Sequence, residues 1–267
     1  MSSRAASVTA VIAAAGSGER LGAGGPKAFV RLAGRPLVEW SIAAMRAAPS
    51  VRSIVVACPP EVLAGSSSSY PDVGKVGPDS DSMTFVAGGA TRAESVSNAL
   101  QVVETELVAI HDAARPLATP ELVEGVIATL LAAPDAAGAI AAVPVTDTIK
   151  RAAPKVPEAR LQPFPHDGGA KAAISIAGTV DRGELWAAQT PQVFRVDALR
   201  RALEADPSQL QSATDEAMIV EGTGGTVLIH PASSENLKVT TPLDLRVAEL
   251  LLSKDRPGPN DQQQSSQ

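Results

Sequence analysis

The apolar run Val8–Ala14 passes into Ala15-Gly16-Ser17-Gly18-Glu19-Arg20-Leu21-Gly22 and then Gly24-Gly25-Pro26-Lys27. Small residues and glycines directly after a strand let backbone N–H groups approach an anion closely. Arg20 can fork two phosphate oxygens, and Lys27 adds a compact positive charge. A loop with N–H donors and two cations suits a polyphosphate; the plainer alternative is a solvated loop with ordinary surface charges. Two well-known phosphate loops do not fit. Lys27 stands between Pro26 and Ala28, so Gly-x4-Gly-Lys-Ser/Thr is absent. Leu21 occupies the place where G-x-G-x-x-G requires Gly or Ala, and no acidic residue closes a second strand about 20 residues on.

A second candidate is His111-Asp112, closing the apolar run Leu107–Ile110. Open α/β sheets bind ligands at such strand ends, which points Asp112 at a ligand. His111, inside the apolar strand, reads as structural, satisfied by one hydrogen bond. No Ser-His-Asp or Cys-His arrangement suggests a covalent nucleophile.

The elements that must hold these residues alternate. Short apolar runs at Val8–Ala14, Ser53–Ala57, Thr84–Ala87, Leu107–Ile110, Ala139–Val145 and Thr226–Ile229 read as strands. Between and after them, Pro36–Ala48, Thr91–Glu104, Pro120–Ala133, Val196–Glu204, Asp215–Gly222 and Pro242–Leu252 read as helices. The expected fold is α/β, a Rossmann-like, mostly parallel sheet flanked by helices. Thr91-Arg92-Ala93-Glu94 reads as a capping box, and Thr119-Pro120 and Thr241-Pro242 as caps before a first-turn proline. Gly65–Ser82 reads as a surface loop. Thr146–Arg151 and Ala173–Val180 look extended around the proline-rich connection Ala152–Ala170. That predicts a protruding β-arm over roughly 146–184, an element often used to clasp a second subunit; the alternative is a flexible insertion. The main domain is expected over 1–253, with a disordered polar tail over 254–267.

The chain has 267 residues, 23 Lys+Arg against 29 Asp+Glu, and a formal charge of −6. That length holds one large α/β domain or two small ones. The acidic balance and 3% aromatic content argue against a nucleic-acid groove, which needs a basic stripe and stacking rings. A small phosphorylated ligand needs only a few local cations. No apolar run approaches the roughly 18 residues of a spanning helix, and Val8–Ala15 is too short for a signal peptide. The single Cys58 reads as a buried, inert thiol, in keeping with a reducing cytoplasm.

The first loop resembles the signature of nucleotidyltransferases that activate sugars and polyols. Other matching segments are Gly88-Gly89-x-x-Arg92-x-x-Ser95-Val96, Val108–Pro116, Pro144–Lys150 and Thr179–Arg182. They continue with Gln189-Thr190-Pro191-Gln192-x-Phe194, Thr214–Ala217 and Asn236–Pro242. Together they span residues 8–250 and are most similar to the 2-C-methyl-D-erythritol 4-phosphate cytidylyltransferase family of isoprenoid precursor biosynthesis. His-Asp-Ala-Ala-Arg-Pro and Gln-Thr-Pro-Gln are narrow to that family and its polyol-phosphate relatives.

The resemblance implies attack by a polyol phosphate on the α-phosphorus of CTP, with pyrophosphate leaving. Both reactants are anions, so charge neutralisation and positioning should carry most of the rate. It implies catalytic roles for Arg20, Lys27, Arg182 and Lys238. Ala14, Ala15, Gly16, Gly18, Gly88, Gly89, Arg92, Ser95, Asp112, Arg115, Thr148 and Thr190 would bind substrate. Asp112 is the carboxylate for Mg²⁺ or a polyol hydroxyl. Arg182 would reach a neighbouring subunit's site, so a homodimer through the arm is implied. The plainer alternatives are a polar helix position for Ser95, a strand-end surface lysine for Lys238, and a pairing with Asp112 for Arg115. Asp215 and Glu216 read mainly as a helix start favoured by the dipole. Many relatives carry an acidic residue where Ala90 stands. The competing readings are a ribitol 5-phosphate cytidylyltransferase and a non-catalytic nucleotide-binding regulator.

Overall fold

Val8–Ala13 and Leu107–Asp112 run almost without polar alternation, the pattern of strands covered on both faces. In the computed structural model, which describes residues 7–16, 18, 21, 25–64, 83–153, 174–205 and 213–254, they pair in parallel as β1 (Val8–Ala13) and β6 (Leu107–Asp112). Around them lie β2 (Arg31–Leu32), β3 (Arg35–Pro36), β4 (Val51–Cys58), β5 (Met83–Ala87) and β7 (Gly138–Pro144). The later strands are β8 (Lys150–Ala152), β9 (Ile176–Thr179), β10 (Trp186–Arg195) and β11 (Val227–Pro231). The helices are α1 (Leu37–Ala47), α2 (Pro60–Leu63), α3 (Arg92–Leu100), α4 (Pro120–Leu131), α5 (Val196–Ala205), α6 (Glu216–Gly222) and α7 (Pro242–Lys254).

Seven strands form one sheet in the order β11-β7-β10-β6-β1-β4-β5. β5, β4, β1 and β6 are parallel neighbours, as are β7 and β11; β10 runs antiparallel to β6. The expected mostly parallel α/β sheet is therefore the fold. Alternate residues of β1 serve opposite layers. Ala10 and Ile12 pack with Ile42, Met45, Val126 and Leu130 of α1 and α4. Val11 packs with Val96, Leu100, Leu199 and Ile219 of α3, α5 and α6. Each fully buried aliphatic side chain contributes about 1.5–3 kcal/mol relative to exposure, so both layers stabilise the strands that end at the site. A third cluster gathers Leu21, Leu32, Leu37, Val239 and Ala248.

The caps form largely as expected. Thr91 accepts from Glu94 N, Thr119 from Leu122 N, and Asp244 N donates to Thr241 Oγ1. The Glu94 carboxylate, however, accepts from Ala90 N at 2.7 Å, one residue ahead of the capping-box position. α3 stops at Leu100, short of Glu104, where Arg200 Nη2 donates to the carbonyls of Leu100 and Val103. β10 is the main surprise, because a proline inside a segment argues against a central strand. Its ladder with β6 runs only over Gln192–Arg195, which leaves Pro191 outside that ladder.

Val143–Ala187 forms a second compact unit. Within it β8 and β9 pair antiparallel, with Lys150 opposite Thr179, and Lys150 Nζ donates to Thr179 Oγ1 at 2.7 Å. Arg182 donates to the carbonyl of Thr146, and Val145 N donates to Leu185 O. The expected loop 65–82, the connection 154–170 and the tail 255–267 lie outside the described residues.

Candidate active site

Register brings the chemistry to one edge of the sheet. Ala13 stands opposite both Ala57 and Asp112, so β1, β4 and β6 end together. The ladder continues past them: Ala14 N donates to Ala57 O at 2.8 Å, Gly88 N to Cys58 O at 2.8 Å, and Ala113 N to Ala13 O at 3.2 Å. There the first loop, Gly89 and Asp112 border a cavity of about 690 Å³, with Gly88 just behind it. Ala14, Ala15, Gly16, Gly18 and Lys27 line it from the first loop, and Gly89, Arg92 and Ser95 from the start of α3. Asp112 and Lys238 complete the wall. Arg20 lies outside the described residues.

The small residues are dictated by close backbone approach. Gly18 has φ +75°, and a Cβ there would fall 2.7 Å from Lys27 Cβ and 2.8 Å from Lys27 N. A Cβ on Gly88 would come within 2.3 Å of Ala15 Cβ. Lys27 N donates to Gly16 O at 3.2 Å, closing the loop on itself. Ser95 Oγ accepts from Gly89 N at 3.0 Å and donates to Thr91 O at 2.9 Å, so its hydroxyl proton shapes the turn.

Asp112 is the electrostatic centre. Oδ1 accepts from Arg92 Nη1, and Oδ2 lies 2.7 Å from Lys238 Nζ and 3.8 Å from Arg115 Nε. Burial alone would raise its carboxyl, but the Arg92 and Lys238 charges outweigh that and hold it well below the usual carboxylate range. Arg92 is itself clasped by Glu216, which takes Nε and Nη2 and is fully buried. Burial works against the Arg92 charge, yet Glu216 and Asp112 keep it firmly protonated. A resident metal cage is not formed: among the described residues no three His, Cys, Asp or Glu side chains gather for one. Among those same residues Asp112 is the one carboxylate lining the cavity. A single carboxylate fits Mg²⁺ carried in on phosphates, which supply most of its ligands together with water.

Three residues expected to contact substrate have partners within the protein in this structure. Arg115 is buried, with Nη1 donating to Asn236 O at 2.7 Å and Nη2 to Ala188 O at 3.4 Å; it does not line the cavity. Thr190 is buried, with Oγ1 accepting from Asp112 N at 3.0 Å and lying 3.1 Å from His111 Nδ1. Arg92 does line the cavity, but both of its terminal amino groups and its Nε face carboxylates. In each case the polar side chain has a partner distant in sequence, although Arg115 Nε, 3.8 Å from Asp112 Oδ2, makes no hydrogen bond of its own. Thr148 and Arg182 belong to the second unit. Sequence reasoning missed Glu216, although two acids at one helix start gave a signal: Asp215 alone caps α6, accepting from Met218 N at 3.0 Å.

A model of the family described as IspD, 2-C-methyl-D-erythritol 4-phosphate cytidylyltransferase, matches residues 8–159 and 168–254. The chain belongs to this family. It is 39% identical over 251 residues to the 2-C-methyl-D-erythritol 4-phosphate cytidylyltransferase of Symbiobacterium thermophilum, covering 93% of this chain and 94% of that one. Identity to the Haemophilus influenzae cytidylyltransferase is also 39%, over 254 residues, with 94% and 99% covered. The crystal structure of the cytidylyltransferase from Thermus thermophilus superimposes with a TM-score of 0.67 at 31% identity, covering 92% of this chain and 99% of that one. As an IspD-family member the chain is a nucleotidyltransferase, and the family expectation drawn from its motifs holds.

Proposed function

We propose that the chain joins CTP and 2-C-methyl-D-erythritol 4-phosphate into cytidine-diphosphate methylerythritol, releasing pyrophosphate, as a step in isoprenoid precursor biosynthesis. The observation that carries this reading is the cavity itself, with a small-residue backbone loop and Lys27 on one wall and Lys238 on another. A phosphate oxygen of the polyol phosphate attacks the α-phosphorus, and the bond from that phosphorus to the β-phosphate oxygen breaks. Lys27, with Arg20, neutralises the triphosphate and the departing pyrophosphate. Lys238 bridges the α-phosphate and the attacking phosphate. The Gly88-Gly89 turn, held by Ser95, frames the base. Asp112 would be the carboxylate to hold a Mg²⁺ ion brought in with CTP, and such an ion would shield the triphosphate charge. Catalysis is then positioning and charge stabilisation without a covalent enzyme intermediate.

Thr148 and Arg182 hold the polyol phosphate, presented by the arm of a second subunit in a homodimer. The extended pairing of β8 and β9 supports an arm. Among the described residues no helix is long and apolar enough to cross a membrane. The buried thiol of Cys58, pushed up by burial to about 11, is inert and suits work in the cytoplasm.

The test is direct. Purified protein is incubated with CTP, Mg²⁺ and either methylerythritol phosphate or ribitol 5-phosphate, and pyrophosphate is measured. Release with methylerythritol phosphate is expected; release with ribitol phosphate alone overturns the substrate, and none with either overturns catalysis. Mixing Lys27→Ala with Arg182→Ala should restore activity if sites are shared between subunits. Failure in demonstrated heterodimers refutes sharing.

A further inference from the structure

Glu216, Arg92, Asp112 and Lys238 form a series of alternating charges carried by α6, α3, β6 and the segment before α7. Only one end is open. Lys238 is nearly half exposed and lines the cavity, whereas Glu216 is fully buried and lines none of it. A buried carboxylate is costly unless it is paired and hydrogen-bonded, so its partner is where to look for its role. The start of α6 does not need it, since Asp215 supplies the cap.

The partner explains it. The two Glu216 oxygens lie 3.1 and 3.2 Å from Arg92 Nε, and one lies 2.8 Å from Nη2, a forked contact that fixes the guanidinium plane. That leaves Nη1 for Asp112 Oδ1, while Asp112 Oδ2 stays with Lys238 at 2.7 Å. We propose that Glu216 is a positioning residue for nucleotidyl transfer: it restricts Arg92 to one oxygen of Asp112, so that the other oxygen orients Lys238. This rests on the cytidylyltransferase reading above. With the Glu216 charge removed, Asp112 is the carboxylate left to Arg92. The guanidinium then forks over both Asp112 oxygens and displaces the Lys238 ammonium.

The test is a double-mutant cycle with CTP, Mg²⁺ and methylerythritol phosphate as substrates. Glu216→Gln, Lys238→Ala and the double variant are compared with wild type in kcat, KM and thermal melting. Glu216→Gln should lower kcat about tenfold or more with the CTP KM within about threefold, and should change kcat by less than about twofold once Lys238 is Ala. Unchanged kcat in Glu216→Gln, or a loss that multiplies with that of Lys238→Ala, overturns the positioning role. If Glu216→Gln does not fold, Glu216→Asp keeps the buried charge but draws its oxygens back from Arg92. It enters the same cycle with the same two outcomes. A wild type without turnover would instead refute the activity, and the proposal with it.

Discussion

Thr190 Oγ1 and His111 Nδ1 lie 3.1 Å apart, joining β10 to β6. Their proton order is fixed by what surrounds them. His111 Nε2 faces the Arg115 carbonyl at 3.2 Å, and a carbonyl can only accept, so Nε2 carries the ring proton. Nδ1 of the neutral ring is therefore the acceptor, and the Thr190 hydroxyl donates to it. The same Thr190 oxygen accepts from Asp112 N. A buried neutral histidine thus holds the backbone of the residue at the cavity's electrostatic centre.

This arrangement has a pH signature. Burial lowers the His111 pKa to about 4, against an ordinary value of 6.5. Between those values the unfolded chain binds a proton that the folded chain refuses. Stability is complete above pH 6.5 and falls as pH drops toward 4, by on the order of 3 kcal/mol for this group. Urea midpoints at about pH 7.5 and about pH 5, on either side of the ordinary histidine range, measure it. His111→Gln should flatten the dependence; an identical slope in the variant would refute the assignment.

Among the described glycines of the first loop, Gly18 carries the tightest demand. Gly18→Ala places an L side chain at φ +75°, costing about 1–2 kcal/mol, and pushes on the Lys27 backbone. The expected result is a fall in kcat/KM for CTP of at least about tenfold, with melting lowered by only several degrees. Wild-type kinetics would show that the loop tolerates displacement of Lys27.

Lys27→Ala tests charge rather than geometry. Loss of one preorganised cation should lower kcat by roughly 100-fold or more, with the fold intact by circular dichroism. Near-normal turnover would remove Lys27 from the catalytic set.

Ser95→Ala separates shaping from direct binding. The change leaves the Gly89 N–H without its 3.0 Å acceptor and loosens the turn. A rise in CTP KM of about tenfold, with kcat largely kept, is expected for the loss of one buried hydrogen bond. Equal binding of CTP and ATP in the variant would additionally place the turn in base selection, whereas an unchanged KM would exclude it from the site.

What the residue pattern reveals and conceals follows from the range of the interaction. β1 and β6 are legible because burial on both faces leaves uninterrupted apolar runs, and the first loop because close backbone approach admits only small residues. Caps are legible because their partners lie within four positions. β10 is concealed by Pro191, which lies just outside the β6 ladder, a placement no local pattern reveals. Arg115 and Thr190 have the right chemistry for a phosphate, yet Asn236 O and His111 Nδ1, 121 and 79 positions away, claim their hydrogen bonds. Glu216 is the extreme case: its partner Arg92 is 124 positions distant. Residue type reveals what a side chain can do, while topology decides for whom it does it.

The small cluster of Leu21, Leu32, Leu37, Val239 and Ala248 joins the first loop to the segment carrying Lys238. Lys27 and Lys238 therefore stand on shared footing, and neither anchor can drift without disturbing the other. A shrunken Leu32 would leave a void in this cluster, which an enlarged side chain at Val239 or Ala248 is expected to refill. Two cation-bearing segments more than 200 positions apart in sequence thus answer to the packing of one small cluster.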